Sequence, residues 1–414
     1  MELIWRDEQG KPYKAIGKID YVSCWHFKAA QFMQNTNIRT AFVSTNSITQ
    51  GEQVVSIWKP LMERFHVQID FAWRTFVWDS ESNSKAHVHC VIIGFSTTGE
   101  RVKYLYSDGH HKEAVNINPY LLDAPTVFID SIAKPLCDVP IMTKGSQPTD
   151  AGNLILDYDE YVDFVKKEPL AKNHIRSFLG SREFINNIPR FCLWLVGISP
   201  AEMKKMPFVV KRVEAVRDFR LKSKKDATRR SADTPTLFQE IRQPLDDEHF
   251  IAVPEVSSGG RRYIPMGFMN GKTIVSNKLQ MLPKATLYHF GILQSNVHNS
   301  WIRSVCGRLK SDYDYSVKIV YNNFPWPNPN EKQKAAIEQT AQGILDARNL
   351  YPDSSLDDLY NETLMPPELR KAHQANDRAV MLAYGFDVGH MTEAACVAEL
   401  MKMYRTLAEQ TVKA

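Results

Sequence analysis

Cysteine is sparse in this chain: Cys24, Cys90, Cys137, Cys192, Cys306 and Cys396 are scattered over 414 residues, with no CxxC and no Cys/His cluster. The spacing argues against a disulfide framework and against a structural zinc site. Most of the six lie in apolar runs and read as buried free thiols, which suits a reducing cytoplasm. A charged n-region followed by an apolar h-region is missing, and so is any apolar run of the roughly 20 residues that spans a bilayer. The expectation is a soluble, cytoplasmic protein. Internal repeats and low-complexity tracts are also lacking, and the net charge of +4 is too small to identify a partner.

What is present is an ordinary globular composition, 43% apolar and 24% charged. The length suggests two or three domains at roughly 100–200 residues each. Charge is concentrated locally. Lys204, Lys205, Lys211, Arg212, Arg217, Arg220, Lys222, Lys224, Lys225, Arg229 and Arg230 face only Glu214, Asp218 and Asp226 within one stretch. Such a run meets phosphate or water.

Asp20 is placed as a helix N-cap, followed by Tyr21, Val22, Trp25, Ala29, Phe32 and Met33 at helical spacing. Thr40–Val43 reads as a short buried strand ending in the polar loop Ser44–Ser47. A second helix carries Val54, Ile57, Trp58, Leu61, Met62 and Phe65 on one stripe, and His66–Phe71, Thr75–Trp78 and Ala86–Phe95 are strand-like. This order of helix, strand, helix, strand, strand is half of an α/β sheet, whose front edge is expected to be open and to need a partner or preceding sequence. Further along, Ala201–Arg230 is expected as one long basic helix. Phe250–Pro265 is expected as a hairpin turning at Ser258-Gly259-Gly260. Thr273–Ser276, Ala285–Gly291 and Ser316–Tyr321 are expected as strands and Asn299–Arg308 as a helix. Four short helical patterns follow beyond Asn328.

The run Asp20–Trp25, the longer run Ala41–Val54 with Ser44-Thr45-Asn46-Ser47-Ile48-Thr49-Gln50-Gly51-Glu52-Gln53, and Trp73–Phe95 with its Trp78-Asp79-Ser80-Glu81 turn resemble the rear half of class I adenine-N6 DNA methyltransferases. They are most similar to the MmeI-like restriction–modification branch (type IIG/IIL), in which methyltransferase and target recognition share one chain. Gly145–Asp150, Arg212–Arg230, Trp301–Ser316 and Phe324–Pro327 resemble that branch's target-recognition domain, and Leu356–Gly385 its C-terminal helical piece. The resemblance implies the C-terminal half of a Rossmann-like catalytic sheet over residues 1–105, an α/β recognition domain over 106–327 and a helical region over 328–414. It implies double-stranded DNA as partner and S-adenosylmethionine as methyl donor. The family's glycine-rich donor turn and Asn-Pro-Pro-aromatic loop are absent here and by resemblance would lie before Met1. Asn118-Pro119-Tyr120 is no substitute: it lacks one proline, follows the last strand and reads as a Pro-fixed turn.

The expected activity is therefore sequence-specific DNA recognition, with methyl transfer requiring an N-terminal half. The alternative is a stand-alone DNA-binding module without catalysis. No catalytic residue is assigned. Phe76 or Trp78 is a candidate to stack on an extruded adenine, or both are core aromatics. Family members carry an aromatic slightly later, where Ser82–Ser84 stand. Asn46, at the carboxyl end of a strand, is a pocket candidate or a polar turn residue. DNA-contact candidates are the basic residues Lys211, Arg212, Arg217, Arg220, Lys222, Lys224, Lys225, Arg229 and Arg230, together with Arg261 and Arg262 beside the paired glycines and Arg308. Lys310 and Asp312, placed on one side of an extended segment, can read a G·C pair: the lysine donates to guanine and the aspartate accepts from cytosine N4. The competing reading is a surface ion pair. The pairs His87/His89 and His110/His111 have too few neighbouring ligands to make a metal site, and no metal is expected.

Overall fold

The computed structural model describes residues 1–79, 87–107 and 109–413. The chain forms two compact units. The first gathers residues 1–139, 296–333 and 380–414; the second gathers 140–295 and 334–379.

The first unit is built on a five-stranded sheet of β1 (Thr40–Thr45), β2 (Gln68–Asp79), β3 (His87–Ser96), β4 (Lys103–Ser107) and β5 (His110–Ala114), in the order β1-β3-β2-β4-β5. β3 is antiparallel to both β1 and β2, so those two run the same way, and β4 is parallel to β2. Two helices, α1 (Ser23–Phe32) and α2 (Gly51–Phe65), cover one face of this sheet. There His26 stacks on Phe95 and Trp58 meets it edge-on, while Phe27, Ile57, Leu61, Ile69, Ala72, Val91 and Ile93 are fully buried. β1 is the edge strand, and among the described strands only β3 pairs with it.

The first helix differs from expectation in a way that matters. It begins at Ser23 with Val22 at its cap position, and Asp20 is not the N-cap. The Asp20 carboxylate instead accepts from the Ser47 hydroxyl and, at 3.4 Å, from the Thr45 hydroxyl. The residues at helical spacing divide: Tyr21, Trp25 and Phe32 are 66%, 58% and 74% exposed, whereas Met33 is buried together with Cys24, His26, Phe27 and Ala30.

In the same unit, the helix expected over Asn299–Arg308 runs over Asn296–Val305, with Gly307 and Arg308 already in a strand, and Val317–Tyr321 is a π-helical turn and not a strand. Its wider ring leaves carbonyls unpaired within the helix. Asn323 satisfies them, its amide donating to Lys318 and Ile319 at 2.8 and 3.1 Å. The terminal helix Glu393–Lys413 packs on this unit, with the Tyr404 hydroxyl donating to the Phe128 carbonyl at 2.9 Å.

The second unit holds two small four-stranded sheets. One pairs His249–Pro254 with Gly267–Asn270 on one side and Leu279–Pro283 on the other, with Thr143–Lys144 at its edge. The other joins Ile274–Val275, Ile175–Leu179, Phe191–Leu193 and Ile155–Leu156. The expected hairpin over 250–265 is thus not formed, because the strand at 249–254 finds its partners further along the chain. Residues 287–293 form a helix and not a strand. A short apolar run fits either state, and the His289 ring accepting from the Thr286 amide at 3.1 Å caps the helical one. Helix Glu331–Asn349 approaches this segment closely at Gly291, where a Cβ would lie 2.6 Å from Ile337. Asn376 on helix Pro367–Ala383 donates to the Gly291 carbonyl at 2.8 Å.

Candidate nucleic-acid interface

The carboxyl end of β1 runs into a 3-10 turn, Asn46–Thr49, and then into α2. Asn46 is buried in that turn. Asp20 ties the turn down through Ser47, and its own amide donates to Gln53 Oε1 at 3.0 Å, binding the start of α2 as well. The Trp58 indole donates to the Ile48 carbonyl at 2.9 Å. Gly51, at φ +54°, starts α2, and a Cβ there would sit 3.1 Å from the Gly307 Cα. Glycine is needed here for both the backbone angle and the close approach. That approach seats a second hairpin against the turn.

This hairpin pairs Gly307–Leu309 with Asp312–Asp314. Lys310 and Ser311 form its two-residue tip, with Lys310 at φ +60°. The expectation of one extended segment is therefore corrected: Lys310 lies at the turn, and Asp312 opposes Leu309 across the ladder. Both remain at the same tip. Two-residue hairpin turns favour Asn or Gly at positive φ, so the lysine is held at a conformational cost. The Arg308 guanidinium lies over the Tyr313 ring at 4.4 Å and donates to the Ser311 carbonyl at 3.0 Å. The buried Cys306 thiol, pushed up to about 12 by burial, donates to the Asp314 carbonyl at 2.9 Å. A cavity of about 370 Å³ lies between turn and hairpin, lined by Ser47, Gln50, Gln53, Arg308 and Asp314 among others.

The aromatic candidates lie on β2. Trp78 is 51% exposed and Phe76 half-buried, their ring centroids 6.2 Å apart. Trp78 is thus not a core residue. The later positions Ser82–Ser84 fall outside the described residues.

The basic segment is broken into three helices, Pro200–Met203, Pro207–Leu221 and Asp226–Arg230, in place of one. Pro207 suits the first turn of a helix but not an interior. The middle helix buries Val209, Val213 and Val216 against the core of the second unit. Its cations divide into two kinds. Arg220 is completely buried and donates to the carbonyls of Pro148, Thr149, Ser231, Thr234 and Leu237 at 2.8–3.1 Å. It ties loops together and is not available to DNA, which corrects its assignment. Arg212 is also largely engaged, donating to the Asn153 carbonyl at 3.0 Å and lying over Phe164 at 5.2 Å. Arg229 pairs with Asp226. Lys211, Arg217, Lys222, Lys224, Lys225 and Arg230 are exposed.

Arg261 is likewise not a free tip: its side chain is 11% exposed and paired with Asp357. Arg262 is exposed, with its guanidinium 5.8 Å from the Tyr263 ring centroid. Asn118 caps its own turn, its side-chain oxygen accepting from the Tyr120 and Leu122 amides at 3.0 and 3.2 Å. Among the described residues no group of three His, Cys, Asp or Glu could hold a metal ion. None of the described helices is long and apolar enough to cross a membrane.

Three family models match the chain in succession. They are the MmeI DNA-methyltransferase domain over residues 5–107, the MmeI target recognition domain over 123–328 and the MmeI C-terminal domain over 329–412. The chain belongs to the MmeI-like DNA methyltransferase family. It is 38% identical over 393 residues to DNA methyltransferase A of Bacillus subtilis (strain 168), which covers 95% of this chain and 44% of that protein. Its fold matches the structure of the type IIL restriction-modification enzyme MmeI in complex with DNA, with a TM-score of 0.89 and 45% identity. That match covers 96% of this chain and 53% of MmeI. The chain thus spans about half the length of the relatives it matches. Arg74 and Arg303, which adjoin the hairpin in space, were not among the sequence candidates. Arg74 is a lone arginine in its sequence neighbourhood, and Arg303 lies in an apolar helical stretch with no pattern to mark it.

Proposed function

We propose that this chain recognises a specific sequence in double-stranded DNA as the C-terminal part of an adenine-N6 DNA methyltransferase of a restriction–modification system, and that methyl transfer needs an N-terminal half. The observation that carries this reading is the match to MmeI, solved with DNA, over 96% of the chain. The sheet order supports a catalytic-domain origin: β3 is reversed between two strands that run the same way, as suits the rear half of a Rossmann-like methyltransferase sheet. The open edge of β1 and the outward stripe of Tyr21, Trp25 and Phe32 support a missing half. Large aromatic side chains exposed at helical spacing suit an interaction site.

Among the described residues, the glycine nearest the end of β1 does not fit the role of a donor-binding turn. Gly51, the glycine at the carboxyl end of β1, makes room for the Gly307 backbone and not for a ligand. Donor binding is therefore assigned to the N-terminal half, and so are the steps of methyl transfer. DNA reading divides between two sites. The exposed lysines and arginines of 211–230 hold phosphates of any sequence. Lys310 and Asp312 at the hairpin tip are the pair proposed to read one G·C base pair. Phe76 or Trp78 is proposed to stack on the extruded adenine and Asn46 to line its pocket. The test is complementation. The chain is mixed with a candidate N-terminal half, DNA and radiolabelled S-adenosylmethionine, and label incorporation at adenine N6 is followed. Incorporation only in the mixture supports the reading. Sequence-specific binding without incorporation, for every half supplied, would leave the chain a binding module.

A further inference from the structure

Gln50 occupies the N-cap position of α2, in extended backbone at φ −139° and ψ 149°. Serine, threonine, aspartate and asparagine are favoured there, because a short side chain reaches back to the first-turn amides. Glutamine is too long to suit that bond, and the Gln50 side chain makes no capping hydrogen bond. Among the described residues no other hydrogen bond holds its amide. A local preference broken without local gain is expected at functional positions.

The backbone around this side chain is nevertheless fixed. The Gln50 amide nitrogen donates to the Ser47 carbonyl at 3.2 Å. The next residue, Gly51, lies so close to Gly307 that a Cβ would be 3.1 Å from its Cα. Gln50 therefore stands at the root of the hairpin that carries Lys310 and Asp312, and it lines the cavity of about 370 Å³ between turn and hairpin. Its polar neighbours in that lining have partners already. Ser47 donates to Asp20, Gln53 accepts from the Asp20 amide, Glu52 pairs with Lys18 at 3.1 Å and Arg308 donates to the Ser311 carbonyl.

The charge of the cavity distinguishes between kinds of DNA contact. Glu52 and Asp314 set two carboxylates against the one guanidinium of Arg308. A phosphate would meet both carboxylates, whereas the edge of a base carries no net charge. The side-chain amide of glutamine presents a donor beside an acceptor. Adenine presents the complementary pair, N7 and the N6 amine, in the major groove.

We propose that Gln50 reads an adenine in the DNA site, at a base pair other than the one assigned to Lys310 and Asp312. This role rests on the DNA-reading function proposed above. It places a second reading group on the turn that follows β1, outside the stretch matched to the recognition domain. From Gly307 to Lys310 the hairpin extends about 10 Å, at roughly 3.3 Å per residue. Base pairs are spaced about 3.4 Å apart. The adenine therefore lies within about four base pairs of the pair at the hairpin tip.

The test is selection from a random duplex pool with the full chain, run for wild type, Gln50→Ala and Gln50→Ser. Serine is a favoured N-cap, so Gln50→Ser should melt at or above the wild-type temperature, which separates base reading from support of the helix. Wild type should enrich one site with a fixed adenine within about four base pairs of the position altered by Lys310→Glu with Asp312→Arg. Both Gln50 variants should enrich the same site with that adenine no longer fixed. In competition binding, wild type should prefer the adenine duplex by roughly tenfold over one changed at that pair, and both variants by less than about twofold. An unchanged site enriched by either variant, or a preference lost only at the pair altered by the hairpin double variant, would overturn the inference alone. A lowered melting temperature in Gln50→Ala, with melting and preference both restored in Gln50→Ser, would assign Gln50 to the helix and overturn it as well. Failure of the wild-type chain to enrich any site would sink both this role and the DNA-reading function on which it rests.

Discussion

Replacing Arg220 by alanine separates a structural cation from a DNA-binding one in a segment where composition treats them alike. The side chain is fully buried, and five carbonyl oxygens from two stretches of chain, 148–149 and 231–237, accept from it. Burial lowers its pKa, and the nearby Asp150 carboxylate opposes that shift. Asp150 is itself buried and accepts from the Leu154 amide at 2.6 Å. Truncation removes one donor from each of the five oxygens, although the Pro148, Ser231 and Thr234 carbonyls each keep a backbone amide, and it removes the compensating charge beside Asp150. Each buried unsatisfied group costs about 1–3 kcal/mol, but water refills part of the space and the terms do not add. Breaking a buried charge network costs about 3–5 kcal/mol in practice. In a unit of about 200 residues that lowers the melting temperature by roughly 10 °C, at about 2–4 °C per kcal/mol. The assay is thermal unfolding by circular dichroism, followed by DNA binding at several salt concentrations well below the transition. Arg220→Ala should melt early and, where folded, keep the wild-type salt slope. The double substitution Lys224→Gln with Lys225→Gln should melt as wild type and reduce the slope by about 1–2. A stable Arg220→Ala with a reduced salt slope would show the guanidinium reaching phosphate and would refute the reasoning.

Trp25→Glu should leave the melting temperature of the isolated chain within about 1 °C, because the ring is exposed, and should abolish complementation by an N-terminal half; retained complementation would remove this face from the interface. His26 is held down to about 4 by burial among Phe42, Trp58 and Phe95. Its folded pKa is below its unfolded one, so its contribution is intact above pH 6.5 and is lost as pH falls toward 4. The loss is about 2 kcal/mol at pH 5, at about 1.4 kcal/mol per pH unit. Urea unfolding at pH 7 and pH 5 should show this difference in wild type and a smaller one in His26→Phe; equal pH sensitivity in both proteins would contradict it.

The parts legible in the sequence are those where one physical signal dominates. The long apolar strand His87–Ser96 and the α2 stripe from Val54 to Phe65 follow from periodicity, as do the helices past Asn328. The illegible parts are those decided by tertiary partners. Tyr21, Trp25 and Phe32 have helical spacing, and spacing alone cannot say whether a stripe faces this chain's core or another surface. Leu287–Leu293 is short and apolar, so strand and helix are equivalent in pattern. Arg220 is one of many cations in sequence, and only the carbonyls gathered from residues 148–149 and 231–237 single it out. Lys310 and Asp312 were legible as neighbours but not as a hairpin tip, because Lys-Ser is not a usual turn pair. The role inferred for Gln50 was invisible for a different reason: it meets Arg308 and Asp314 only through the fold.

Whether this chain reads DNA sequence is settled most directly by selection from a random duplex pool with the isolated protein, at a salt concentration that suppresses non-specific binding. One enriched sequence should emerge, and the double variant Lys310→Glu with Asp312→Arg should enrich a sequence altered at a single base pair. A pool that stays random after repeated rounds, with wild-type protein shown to be folded, would contradict sequence recognition by this chain.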